Sequence, residues 1–391
     1  MIPPHRLRAT FALFAAACLA SSAAPAFLST EHKKIGDEAF IAAAARLSPE
    51  KRALLFTNAP DFHNDKPQAT VRASAGSAEV GWFTFGDLVA IFGDMVAGTA
   101  ELNSKLSVGR ATAFKHIALT DLPSTDDEVN KEGMELAYVN ETHFGDKAVD
   151  HYVSWHQKAL ETAKGGKAHL AEALQYEAAA LHSFTDLFAT GHMMIDRKAT
   201  MKLMELARRE DANGHAEVRK GVEKLIGAAT ALMRSGNDEA RAKYLLGFYA
   251  NFYHNGYNHW GAKVTDLSGH TWQAYGDHRL MDSPEHHKAI INAASESIGQ
   301  VLSAAAGTMP SDGLRNSVLR FVPVRYTGAA CSVSMEKERA TVLKVMLEQN
   351  IKILQNGGID ARLLKKQPMP DGAVTYLAEV KKFCGKACTG R

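Results

Sequence analysis

The residues best equipped for chemistry stand in the stretch LHSFTDLFATGHMMIDR, Leu181 to Arg197, where His182, Asp186 and His192 interrupt an apolar, alanine-rich helical pattern. His182 and Asp186 are four apart, which on a helix places them on one face with about 6 Å of rise between them, near enough for imidazole and carboxylate to meet on one cation. His192 lies six residues beyond Asp186. On a continuing helix it would sit about 9 Å farther along and about 120° round, so it suits a second ion or a neighbouring site. Taken singly, each residue has a structural reading: a core histidine bonded to a carbonyl, or an aspartate that caps or pairs. Buried together, imidazole and carboxylate require a partner, and a divalent metal satisfies both.

The remaining ligands of such a site must come from elsewhere in the chain, and the 17 histidines cluster beside Asp and aromatic residues. FLSTEHKKIG offers His32, FGDLVAIFGDM offers Asp87 and Asp94, NETHFGDKAVDHY offers His143, and NFYHNGYNHWG offers His254, Asn258 and His259. Asp87 is well placed as a helix N-cap, whereas Asp94 is expected on the apolar side of the same helix and is harder to explain structurally. Walker loops, GxSxG elbows and HExxH helices are absent from the sequence, which removes the commonest hydrolase and NTPase signals.

These residues must be positioned by helices. Repeats of apolar residues at three and four run through LSPEKRALLF, FGDLVAIFGDMVAG, KAVDHYVSWHQKALETA, HLAEALQYEAAALHSFTDLFA, HAEVRKGVEKLIGAATALM, EHHKAIINAASESIGQVLSAA and KERATVLKVMLEQNIKILQN. The expected fold class is therefore all-α, a compact multi-helix bundle. GLRNSVLRFVPVRY is the single reasonable strand segment, and KVTDLSGHTWQAYGDHRLMDSPE is expected to be loop. Composition shifts near GTMPSDG and no histidine follows Ser311, so a boundary is drawn at residue 310, with a catalytic body at 27–310 and a helical extension at 311–391.

Residues 1–26 have the form of a secretory signal: His5, Arg6 and Arg8, a short apolar run, then SSAAPA, with Phe27 as the expected mature start. The apolar run is shorter than the roughly 20 residues of a membrane span. A soluble periplasmic or secreted protein without stable membrane insertion is the expectation. Cys18 would leave with the signal, and Cys331, Cys384 and Cys388 would face an oxidising compartment, with a bridge from Cys331 to the CGKAC pair or a local Cys384–Cys388 bridge both open. At 391 residues with 46% apolar content the chain can build a sizeable core, and a formal charge of +2 argues against a whole-protein grip on nucleic acid.

The H-x3-D-x5-H pattern of His182, Asp186 and His192, together with HF at His143–Phe144 and YHNGY at 253–257, resembles the zinc-dependent phospholipase C family of bacteria, whose relatives include secreted fungal zinc nucleases that cut single strands. The resemblance covers roughly residues 27 to 300. It implies an all-helical body holding two or three zinc ions in a cleft, with the mature N-terminal residue as a ligand through its amine and carbonyl. By that likeness Phe27 and His32 would hold one ion, Asp94, His143 and His182 its close neighbour, and Asp186 would bridge the pair. His192 and His254 would take the third, with Asn258 standing where the family has a carboxylate.

The resemblance implies hydrolysis of a phosphodiester by a metal-activated water, with Asp94 as general base. The expected substrate is a glycerophospholipid such as phosphatidylcholine at a membrane or micelle surface. Aromatic residues around GWFTFGD, NFYHNGYNHW and TWQAYGD can hold a cationic head group. The same rings can stack bases, so a single-strand-specific nuclease is the alternative, and a metal-binding helical protein without catalysis is the third.

Overall fold

The computed structural model describes residues 29–57, 83–105, 107–138, 141–194, 257–258, 261–276, 279–328, 372–374 and 376–384. Phe27, His254, His259, Cys331 and Cys388, and the helices expected in HAEVRKGVEKLIGAATALM and KERATVLKVMLEQNIKILQN, lie outside the described residues.

Helices dominate: α1 (Ser29–Ala45), α2 (Pro49–Phe56), α3 (Phe85–Ile91), α4 (Thr99–Lys105), α5 (Val108–Thr120), α6 (Asp127–Tyr138), α7 (Gly145–Ala163), α8 (Leu170–Asp186), α9 (Thr190–Met194), α10 (Pro284–Ala305), α11 (Asp312–Arg315) and α12 (Leu377–Cys384). The centre is α8, buried along nearly its whole length, which explains a sequence of alanine and leucine on every side. It packs against α7 and α10 and touches α3, while α1 lies across α3 and α10.

At the α1–α3 crossing there are no side chains between the backbones: a methyl group on Gly36 would stand 2.7 Å from the Gly86 Cα, and one on Gly86 would stand 2.0 Å from the Lys33 carbonyl oxygen. The start of α1 is tied down from two directions. The Asp121 carboxylate, at the left-handed C-cap of α5, accepts the Thr30 N–H at 3.0 Å and the Thr30 hydroxyl. The Glu31 carboxylate accepts the Leu280 N–H at 3.0 Å.

The all-α expectation holds for most of the described chain but requires a correction. Ala262–Asp266 (β1), Thr271–Ala274 (β2), Pro323–Thr327 (β3) and Gly372–Ala373 (β4) form an antiparallel sheet in the order β2-β1-β3-β4. The stretch read as loop, KVTDLSGHTWQAYGD, is thus largely a hairpin. Val264 pairs with Trp272 and with Tyr326, and buried and more exposed positions alternate along β1 and β2, the period expected of a half-covered strand. Asp266 ends β1, and Leu267, Ser268 and Gly269, the last at φ +83°, lead into β2, so these residues do not mark an unstructured segment. In GLRNSVLRFVPVRY only the end is strand, since Ser317–Phe321 winds into a 3-10 turn.

Beyond residue 310, β3 pairs with β1 and α12 packs on α7. Cys384, buried at the end of α12, is disulfide-bonded. Among the described residues no helix is long and apolar enough to cross a membrane.

Candidate metal centre

Four separate segments deliver ligands to one place. His32 comes from the first turn of α1, Asp94 from the turn after α3, His143 from the 3-10 turn Glu141–His143 ahead of α7, and His182 and Asp186 from the last turns of α8. Two overlapping groups result, His32–Asp94–His182 and His143–His182–Asp186, and within each the ligating atoms all lie within 4.8 Å of one another. The carboxylate of Asp186 lies between two imidazoles: Oδ1 is 3.3 Å from His32 Nε2 and Oδ2 is 2.7 Å from His143 Nδ1. His32, His143, His182 and Asp186 are at most 1% exposed, whereas the Asp94 side chain is 13% exposed and gives the centre its open side.

Asp94 reaches this place because its helix stops early. The pattern FGDLVAIFGDM suggests one helix through Asp94, but α3 ends at Ile91 and Asp94 stands in a turn closed by a bridge between Phe92 and Val96. Gly93 makes the break with φ +87°, in the left-handed region that glycine enters without strain. A Cβ there would lie 2.4 Å from His182 Cδ2 and 2.9 Å from His143 Nε2, so glycine also makes room for both rings.

Asp87, the rival of Asp94, has a different task. It is not the N-cap but the third residue of a capping box, in which Thr84 is the cap and each side chain bonds the other's backbone N–H. Its other oxygen is 2.7 Å from Lys33 Nζ.

The hydrogen bonds of the imidazoles fix where their lone pairs point. A carbonyl can only accept, so His182 donates from Nδ1 to Val89 O at 2.7 Å and presents Nε2 to the cluster. His143 donates from Nε2 to Gly93 O at 3.3 Å and presents Nδ1. These two deprotonated nitrogens then face one another at 3.3 Å, an arrangement of two lone pairs that needs a proton or a cation nearby. His32 directs Nδ1 at the Thr185 hydroxyl at 2.9 Å, so its Nε2 is the nitrogen turned to Asp186.

Both Asp186 oxygens and Asp94 Oδ2 are buried without a hydrogen bond; the short imidazole contacts of Asp186 are misaligned for one. Orphaned buried carboxylate oxygens are costly and rare unless something else supplies positive charge. Imidazole and carboxylate donors without thiolate suit zinc and several other divalent metals. The residues present fit a metal.

Protonation follows the same geometry. Burial pushes Asp94 up to about 7 from an ordinary 3.8, against the pull of His143 and His32. Burial alone would raise Asp186 too, but the imidazoles of His143, His182 and His192 outweigh it and hold that carboxyl well below its usual range. For His143 burial is outweighed by Asp186 and the pKa rises, while burial and the neighbouring His32 press His182 well below 6.5. In the metal-free protein positive charge is therefore favoured on His143 over His182.

His192 is adjacent to the centre and belongs to neither group. α8 ends at Asp186, so His192 sits on the separate short helix α9 and not on a continuation of the same helix. Its Nδ1–H donates to the His143 carbonyl, its ring stacks on Phe144 with centroids 4.0 Å apart, and its centroid is 6.1 Å from that of His143. Asn258, expected as a third-site ligand, is 1% exposed and its Oδ1 accepts the Gly191 N–H at 2.6 Å, beside Gly276, where a Cβ would overlap it at 1.8 Å. That oxygen fastens the start of α9 to the segment 257–258.

Three contributors escaped the sequence reading: Gly93, Thr185 and the Val89 carbonyl. Gly93 had a visible signal, a glycine inside an apolar helical run directly before an acidic residue. Thr185 stood within the His182–Asp186 motif itself. No protein-family model, curated protein or solved structure matches this chain.

Proposed function

We propose that the chain is a zinc-dependent phosphodiester hydrolase acting on glycerophospholipids such as phosphatidylcholine. The observation that supports this most is the placement of Asp186 between His32 and His143, with both oxygens buried and lacking hydrogen bonds, beside a second carboxylate on the open side. His32, Asp94, His143, His182 and Asp186 would hold the metal. When bound, two neighbouring zinc ions supply Lewis acidity toward a phosphoryl oxygen and lower the pKa of water.

The protein's own groups do the rest. Asp94 is the carboxylate that meets solvent, and as the ligand on the open side it is placed to take a proton from the attacking water. Asp186 stays anionic and neutralises the metal charge from within. The main-chain carbonyls of Val89 and Gly93 hold His182 and His143 in the tautomers that ligation demands. The nearly balanced charge, +2 overall, favours a lipid ester over a polyanionic strand.

The test is made on secreted protein without an added N-terminal residue. Metal analysis is expected to find at least two zinc ions per chain, and phosphatidylcholine vesicles to release phosphocholine, with loss on chelation and recovery on adding zinc. Hydrolysis of single-stranded DNA or RNA alone would reassign the substrate. Zinc without either activity would leave a binding protein, and hydrolysis indifferent to chelation would end the proposal.

A further inference from the structure

We infer that Thr185 is the positioning residue of ligand His32, and that it governs one half of the metal centre and not the other. This rests on the metal-centre reading above but not on what the centre hydrolyses. Thr185 is fully buried on α8, one residue before Asp186. Its Oγ1 lies 2.9 Å from each of the carbonyls of Leu181 and His182, which can only accept, so the hydroxyl hydrogen is spent there. Toward His32 Nδ1, 2.9 Å away, the same oxygen is therefore the acceptor. The geometry then assigns the His32 proton to Nδ1 and directs the lone pair of Nε2 into the centre.

The selectivity comes from what fixes each ring. His143 and His182 donate to the main-chain carbonyls of Gly93 and Val89, which no side-chain substitution removes. Among the ligating histidines that the structure describes, His32 alone is oriented by a side chain. Removal of that hydroxyl leaves the His143–His182–Asp186 group as it is and takes away the oxygen that sets the tautomer of His32. Loss of such an outer partner typically lowers metal affinity by about 10- to 100-fold.

The experiment titrates the full mature protein with Zn²⁺ against a competing chelator, comparing wild type with Thr185→Val, which keeps the shape, and Thr185→Ser, which keeps the hydroxyl. Thr185→Val is expected to weaken one ion by about 10- to 100-fold and to leave the other unchanged, with Thr185→Ser near wild type. Equal weakening of both ions, or unchanged binding in Thr185→Val, overturns the inference. If Thr185→Val does not fold, ¹⁵N NMR of His32 in wild-type protein decides: protonated Nδ1 supports the assignment and protonated Nε2 overturns it. A chain that passes these tests yet hydrolyses no phosphodiester would sink the proposed function while leaving Thr185's role intact.

Discussion

Two buried histidine–carboxylate groups share the helices α7, α8 and their neighbours, and they differ in one respect. Near the middle of the bundle, His156 Nδ1 meets Glu177 Oε2 at 2.7 Å, Ser297 donates to the other Glu177 oxygen at 2.5 Å, Tyr152 and Ser297 share a hydrogen bond of 2.8 Å, and Gln300 Oε1 lies 3.2 Å from His156 Nε2. Every polar side-chain atom of that group has a hydrogen-bond partner. At the end of α8, Asp186 and Asp94 have none for three of their four oxygens. The same residue types at similar depth thus differ: a closed network joins three helices, and an open one could hold a metal ion.

The contrast is broken or upheld most directly by removing one carboxylate from each group. Asp186→Asn is expected to lower hydrolytic activity by about 10³-fold, the rate equivalent of several kcal/mol of lost charge stabilisation, with a smaller loss of stability in the metal-free protein than Glu177→Ala. Glu177→Ala is expected to do the reverse, costing about 3–5 kcal/mol of stability because His156 is left buried and unpaired, with zinc affinity retained. Matching losses of stability in both variants would show that the two groups are alike after all.

Titration with pH sharpens the difference, because the two groups should respond in opposite directions. Metal must displace a proton from Asp94, whose pKa is pushed up to about 7, and from His143, whose pKa is raised. Zinc affinity should therefore fall as pH drops below about 7, by about tenfold per unit for each proton displaced, in chelator competition. Glu177 outweighs burial and raises the pKa of His156. The stability from that pair is fully present below the unfolded-state value of about 6.5 and is lost as pH rises through the higher folded value, so a double-mutant cycle on His156 and Glu177 should give a smaller coupling at pH 9 than at pH 6.

The smallest effect concerns the choice between neighbouring aspartates. Asp87→Asn removes the charge from the capping box and its ion pair with Lys33, and is expected to cost about 1 kcal/mol in thermal or chemical melts with zinc affinity unchanged. A loss of metal in that variant would return Asp87 to the ligand set.

Helical periodicity in the sequence located α7, α8 and α10 well, since each buries one stripe or, for α8, nearly its whole surface; α2, which buries only Leu55, was marked by its Ser48 cap and Pro49. α5 was less legible because its apolar residues do not keep to one face. The hairpin was obscured by Asp, Ser and Gly, which turn a chain as readily within a sheet as in a loop. His182 and Asp186 were readable as a pair because helical spacing is local. The convergence with His32, Asp94 and His143 came from the family likeness, because contacts across about 40 to 150 residues leave no periodic trace. Asp94 lies beyond its helix, in a turn that helical spacing does not place.

The bare crossing of α1 over α3 sets what the centre can tolerate. His32 stands one turn before Gly36, and Asp94 follows shortly after the helix that begins beside Gly86. With main chain touching main chain at that point, the gap between the two arms has a hard stop on one side and no rotamer that can lengthen or shorten it. The two candidate ligand arms are therefore spaced by the main chain itself, and a single methyl group at either glycine would pry them apart from a distance.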